Sequence, residues 1–350
     1  MTDALAKWAT WREIHQQPQV WRDWGAALDV SGLRAWIAAQ SFDSVWFCGA
    51  GTSAYIGDIL AASLKGTRSV PTTDLVADPA HLLTGERPLV VSFGRSGNST
   101  ESIGTLDALD ALLPHAPRLN ITCNPEGALA TRPSDAPTKV VLLPEATHDA
   151  GFAMTSSFST MLLTALALFD APCHVPARLN TLADALDTLL PQFATTARPN
   201  RAVYVGAGPL AFAAREAALK VMELSAGQIP ALWDSTLGFR HGPKSFVTDG
   251  TAITIFCSGH QPTAAYDADL AAELRQQFPQ SHVETIGPNG DIVVPMPFGA
   301  AWSAPLCIAA AQIRGVLWSE ALGLNVDDPF AGQATLSRVV SGVKLYPVTA

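Results

Sequence analysis

Short apolar runs alternate with longer stretches of helical spacing along nearly the whole chain. Ser44–Cys48 and residues 89–93, 119–123 and 139–143 read as strands, with another near 69–71. Helices are predicted over 53–64, from the loop after residue 93 through Leu113, and over 155–168. The same order then recurs. Strands are expected at 202–205, 252–257 and 281–286, and helices at 210–224, 266–278 and 304–322. Strands alternating with helices imply parallel sheets covered on both faces. The pattern predicts a duplicated α/β unit. Ahead of it, Trp8, Trp11, Trp21, Trp24 and Trp36 recur at near-helical spacing, with Pro18 expected to open a second helix. This stretch is expected to cover the first domain, and a linking helix is expected over about 176–200.

A chain of 350 residues exceeds the usual size of one core. The expected division is a helical segment at 1–40, a first domain at 41–190 and a second at 195–345. With 48% hydrophobic and 15% charged residues, burying two cores presents no difficulty. No run approaches the roughly 18 uninterrupted apolar residues of a membrane span. The N-terminus lacks the basic-then-apolar plan of a signal peptide. Five cysteines, Cys48, Cys123, Cys173, Cys257 and Cys307, are scattered without CxxC spacing and read as free thiols of a reducing compartment. The cytoplasm is the expected location. A net charge of −9 without any lysine/arginine-rich run excludes nucleic acid as a partner, and no membrane partner is expected. A phosphate remains possible, because local N–H groups and hydroxyls attract it whatever the net charge.

The candidate chemistry lies in the loops. Phe47-Cys-Gly-Ala-Gly-Thr-Ser53 and Tyr204-Val-Gly-Ala-Gly-Pro-Leu210 are turns of one design between strand and helix. Ser92-Phe-Gly-Arg-Ser-Gly-Asn-Ser-Thr-Glu101 occupies a third such junction. A glycine- and hydroxyl-rich loop before a helix offers unpaired N–H groups and the positive helix end to an anion. Only the first copy carries hydroxyls in its turn. Both glycine turns also satisfy the GxGxxA dinucleotide pattern, and Asp74 stands near the place of a ribose-binding acid. The duplication, Thr52 and Ser53, and the separate serine loop favour a monophosphate over NAD. For each serine the alternative is a helix N-cap, and Ser99 suits both roles.

Cys48-Gly-Ala-Gly-Thr-Ser53, Pro71-Thr-Thr-Asp-Leu-Val76, the 92–99 loop, Thr147-His-Asp149 with the 151–157 segment, and Arg240-His-Gly-Pro243 together resemble the sugar isomerase (SIS) domain proteins. The resemblance covers two tandem copies after residue 40, and is strongest to the galactosamine-6-phosphate deaminase group, also described as tagatose-6-phosphate ketose/aldose isomerases. It implies two parallel five-stranded sheets flanked by helices, in a flavodoxin-like three-layer sandwich. By that similarity Thr52, Ser53, Ser96 and Ser99 bind a sugar phosphate, helped by Gly97 and Asn98. Arg95, where relatives often carry glutamine, adds a cationic contact. Thr155 and Ser156 match sugar-hydroxyl contacts, or else cap the helix that begins there.

In the related isomerase domain of glucosamine-6-phosphate synthase, a Lys-x-x-Glu matching Lys220 and Glu223 places the proton-transfer glutamate. Without that match, Lys220 pairs as readily with Glu216 at i,i+4, and an exposed ion pair is the plainer reading. His241 resembles a ring-opening histidine supplied across a dimer interface, so a homodimer or higher homo-oligomer is implied. His148 and Asp149 act together if their loop turns both inward, and otherwise form a capped turn. Where the synthase has a Schiff-base lysine, this chain has Arg338, which stays protonated and cannot attack a carbonyl. The resemblance therefore implies deamination-isomerisation of galactosamine 6-phosphate without metal or other cofactor. Plain isomerisation of tagatose 6-phosphate and a non-catalytic sugar-phosphate-binding regulator are the alternatives.

Overall fold

The computed structural model describes residues 2–83, 85–194, 197–333 and 336–346. Its strands form two five-stranded sheets in which every pairing is parallel. The first contains β1 (Ser44–Cys48), β2 (Thr67–Ser69), β3 (Pro88–Gly94), β4 (Arg118–Thr122) and β5 (Thr138–Leu142), in the order β2-β1-β3-β4-β5. The second contains β6 (Arg201–Gly206), β7 (Ala231–Ser235), β8 (Thr251–Phe256), β9 (His282–Gly287) and β10 (Ile292–Val293), in the order β10-β9-β8-β6-β7. Counted from its own first strand, the second sheet repeats the order of the first. Doubly wound sheets of this order bind ligands beyond the carboxyl ends of the strands, at the point where the order reverses.

β1, β3 and β4 are buried along their whole length, as strands covered on both faces must be, and β1 and β3 read as mainly apolar runs. β7, half-buried throughout, and β10, only two residues long, lack that signal and are not foreseen from the sequence. The two glycine turns are copies in backbone as well as in sequence. Gly51 and Gly208 both adopt φ 55°, ψ −129°, each as the residue before a helix.

By packing, the chain divides into two units. One comprises Val20–Asp149, Ser156–Ala177 and the described part of Leu336–Ala350, and contains the first sheet. The other comprises the described parts of Met1–Gln19, Ala150–Thr155 and Arg178–Thr335, and contains the second. This division is not the linear one expected at 1–40, 41–190 and 195–345, whose start at 195 lies outside the described residues. Side-chain bonds explain the N-terminal part. In the first-sheet unit, the Trp21 and Trp24 indoles donate to Ser159 Oγ and Thr164 Oγ1 at 3.1 and 2.8 Å. In the second-sheet unit, Asp327 accepts from the Ala9 and Thr10 N–H groups, both at 2.8 Å.

Pro18 does not open a helix; it lies inside the helix Ala9–Ala27. Proline has no N–H to give the carbonyl four residues back. Here the Gln17 amide donates to that Ile14 carbonyl at 3.1 Å. The neighbouring side chain supplies the bond the backbone lacks. The helix Ala300–Ala321 is long and apolar enough to cross a membrane, but 89% of its most apolar window is buried in protein. It is a core helix of the second-sheet unit.

Candidate active site

In the first-sheet unit, β1 ends in a turn that only glycine can make. A Cβ on Gly49 would lie 2.5 Å from the backbone of Ser53. The turn delivers Thr52 and Ser53, each 5% exposed, to the start of the helix Thr52–Ala61. β3 ends in the second loop, where Gly97 adopts a positive φ of 63°. Ser99 caps the following helix Thr100–Leu112, accepting from the Ser102 N–H at 3.3 Å and sharing a 2.7 Å hydrogen bond with the Ser102 hydroxyl. The Asn98 N–H donates to Ser96 Oγ at 3.2 Å, and its side-chain oxygen accepts from Ala128 N–H at 2.8 Å. The loop is thus prebuilt by its own hydroxyl and amide groups.

Arg95, 6% exposed, donates to the Arg338 carbonyl at 3.0 Å. The exposed Arg338 guanidinium in turn donates to the Asp149 carbonyl. Thr100 N–H donates to the Val340 carbonyl at 3.2 Å, so the C-terminal segment lies along this loop. His148 is half-buried beside the same groups. Burial lowers its pKa below 6.5, the Arg338 and Arg95 charges lower it further, and Asp149 only partly opposes them. At neutral pH it is an uncharged imidazole next to two guanidiniums.

Of the two sequence readings of His148 and Asp149, the capped turn before the helix describes the Asp149 carboxylate. Asp149, 1% exposed, accepts from the N–H groups of Ser156 and Ser157 at 3.1 and 2.9 Å and from the Ser157 hydroxyl at 2.5 Å. Its carboxylate is spent on the first N–H groups of the helix Ser156–Phe169, which have no partner within the helix. Thr155 and Ser156 have no exposed surface at all, which favours a helix-start role over sugar contact. A capped turn is among the sequence readings here, but local spacing does not assign these N–H groups to Asp149. It stands seven residues ahead of Ser156, outside the ordinary N-cap spacing.

In the second-sheet unit, the helix Pro209–Leu224 carries Glu216, Lys220 and Glu223 on one face. Lys220 is completely buried, with Nζ 3.3 Å from Glu216 Oε1 and 2.5 Å from Glu223 Oε2. The exposed ion pair of the plainer reading is therefore replaced by a buried triad. Burial alone would lower the Lys220 pKa, but the two carboxylates outweigh it and the net direction is upward. Lys220 is a fixed cation rather than a nucleophile. Glu216 is fully buried and the Glu223 side chain is 21% exposed, so Glu223 is the member of the triad open to a reactant.

His241 is exposed on the short turn Gly238–His241, and Gly242 follows it at φ 133°. Arg240 and Lys244 pin that turn, donating to opposite oxygens of Glu273 at 2.7 and 2.5 Å. No hydrogen bond joins His241 to Glu223 among the described residues. Nor is any group of three or more His, Cys, Asp or Glu side chains placed to hold a metal among them.

No protein-family model matches the chain. It is, however, 39% identical to the D-galactosamine-6-phosphate deaminase AgaS of Escherichia coli, over 99% of this chain and 98% of that one. The chain belongs to the AgaS family of SIS-domain proteins. A second AgaS, named D-galactosamine-6-phosphate deaminase in a Shewanella species, is 37% identical over 99% of this chain and 94% of its own. The crystal structure of tagatose-6-phosphate ketose/aldose isomerase from Escherichia coli superposes on this AgaS-family chain with a TM-score of 0.88. That pair is 36% identical, with 98% of this chain and 97% of the other covered. The relatives of this AgaS-family chain are thus phosphosugar deaminases and isomerases, and its duplicated five-stranded sheets are theirs.

Proposed function

We propose that the chain converts galactosamine 6-phosphate and water into tagatose 6-phosphate and ammonia. The observation that carries this reading is Glu223, a partly exposed carboxylate held by a fully buried lysine in an AgaS-family chain. After ring opening, Glu223 removes the proton from C2. The resulting enolamine is protonated at C1, and water hydrolyses the ketimine to the ketose and ammonia. The nitrogen comes from the substrate. Arg338, held against the Asp149 carbonyl, and Lys220, buried and charged, are both unsuited to forming an imine.

The phosphate sits on the Ser96, Gly97, Asn98 and Ser99 loop with Thr52 and Ser53. Arg95 and Arg338 supply positive charge there, and neutral His148 supplies a hydrogen bond. Thr155 and Ser156 support the helix behind this edge. His241, exposed in the single chain, serves ring opening at the site of a second copy, which makes the working form a homodimer or a higher homo-oligomer. All five cysteines are free thiols, and burial pushes Cys48 and Cys123 up to about 12, which suits a reducing cytoplasm.

The structural match to a tagatose-6-phosphate ketose/aldose isomerase favours one second reading, in which the same base acts on a C2 hydroxyl. Product analysis separates them. Galactosamine 6-phosphate is expected to give ammonium and tagatose 6-phosphate in equal amounts. Interconversion of tagatose and galactose 6-phosphates with no ammonium from the amino sugar would replace the proposal with plain isomerisation.

A further inference from the structure

Asp149 sits at the hub of a hydrogen-bond chain that lies wholly within the first-sheet unit. At one end, its carboxylate takes two backbone N–H groups and a hydroxyl from the start of the helix Ser156–Phe169. At the other, its backbone carbonyl receives the Arg338 guanidinium. The Arg338 carbonyl then receives the Arg95 guanidinium at 3.0 Å, and Arg95 adjoins the serine loop. The four members come from the loop after β3, the turn after β5, a helix N-terminus and the C-terminal segment. Nothing local in the sequence holds them together. A guanidinium has five N–H donors, and the one Arg338 spends on Asp149 orients the rest of its fork. A carboxylate with three donors at hydrogen-bond distance is fixed in rotamer and backbone alike.

We infer that Asp149 is a positioning residue for the phosphate: by locking its own backbone to the start of the helix Ser156–Phe169, it sets Arg338 and, through Arg338, Arg95. The inference rests on the reading that these arginines and the serine loop take the phosphate. Asp149 acts through its neighbours and touches no substrate atom.

The test is calorimetric binding of inorganic phosphate to the full chain, which requires no turnover. Asp149→Ala is expected to raise Kd about tenfold, the scale of losing hydrogen bonds to a charged group. Arg338→Ala raises it comparably. The double variant is no weaker than the weaker single, because both changes break one chain. Asp149→Asn keeps one acceptor and falls between wild type and Asp149→Ala, and it runs the same cycle with Arg338→Ala if the alanine variant does not fold. A purely structural Asp149 would lower the melting temperature and leave Kd of the folded protein unchanged. An unchanged Kd, or losses that simply add, would overturn the inference. Wild-type protein that ignores phosphate, or binds it equally well as Ser96→Ala, would overturn the phosphate reading and the link with it.

Discussion

Replacing Glu223 by glutamine lowers kcat for ammonium release by about 10²–10⁴-fold, the usual contribution of a positioned general base. Glutamine has nearly the shape of glutamate and still offers Lys220 Nζ an oxygen in place of Oε2, 2.5 Å away in the native chain. It cannot take up a proton from carbon. The loss therefore falls on the chemical step, and KM stays within about twofold because ground-state binding is untouched. Steady-state rates of the two proteins on galactosamine 6-phosphate decide it. A Glu223→Gln enzyme with wild-type turnover removes the base from the mechanism.

The second large effect is on stability. Lys220→Met leaves Glu216 and Glu223 facing a site built around an ammonium, with Glu216 fully buried. Breaking a buried ion group by removing one partner costs about 3–5 kcal/mol, because the remaining buried charge loses its counter-ion. Methionine fills most of the lysine stem volume, so the cost is electrostatic rather than a cavity. Adding Glu216→Gln to Lys220→Met recovers a large part of that loss, since one uncompensated carboxylate is gone. The pH dependence follows from the raised Lys220 pKa. A cation with a raised folded pKa contributes fully below its unfolded value of 10.5, and that contribution is lost as pH rises through the folded value. Urea unfolding at neutral and strongly alkaline pH is expected to show the gap between wild type and Lys220→Met closing above 10.5. A gap independent of pH, or a neutral-pH cost near zero, would contradict the buried triad.

Much of the fold is visible in the pattern because its strands are covered on both faces. β1 and β3 appear as mainly apolar runs closed by glycine, and the structure ends them at Cys48 and Gly94. β7 does not appear, since Ala-Leu-Trp-Asp-Ser is half-buried at every position and mixes polar with apolar residues. Pro18 reads as a helix start because proline favours the first turn, and the Gln17 side chain that lets it sit mid-helix is a tertiary detail. At the site, helical spacing alone places Glu216, Lys220 and Glu223 on one face. Spacing does not report depth, so whether that face is buried or exposed becomes visible only in the structure. Adjacency alone leaves His148 and Asp149 either as partners or as a capped turn, and the Asp149 carboxylate takes the N–H groups of a helix seven residues on. Arg95 meets Arg338 across 243 positions, a separation no local pattern encodes.

The central claim is that the substrate carries its own nitrogen. The most direct test sets galactosamine 6-phosphate against galactose 6-phosphate, which differ only in amine or hydroxyl at C2, with both conversions measured on one preparation as kcat/KM. The account predicts conversion of the amino sugar, with ammonium, at least about tenfold more efficiently than the hydroxy sugar. Galactose 6-phosphate converted as well or better, with no ammonium from the amino sugar, would contradict it.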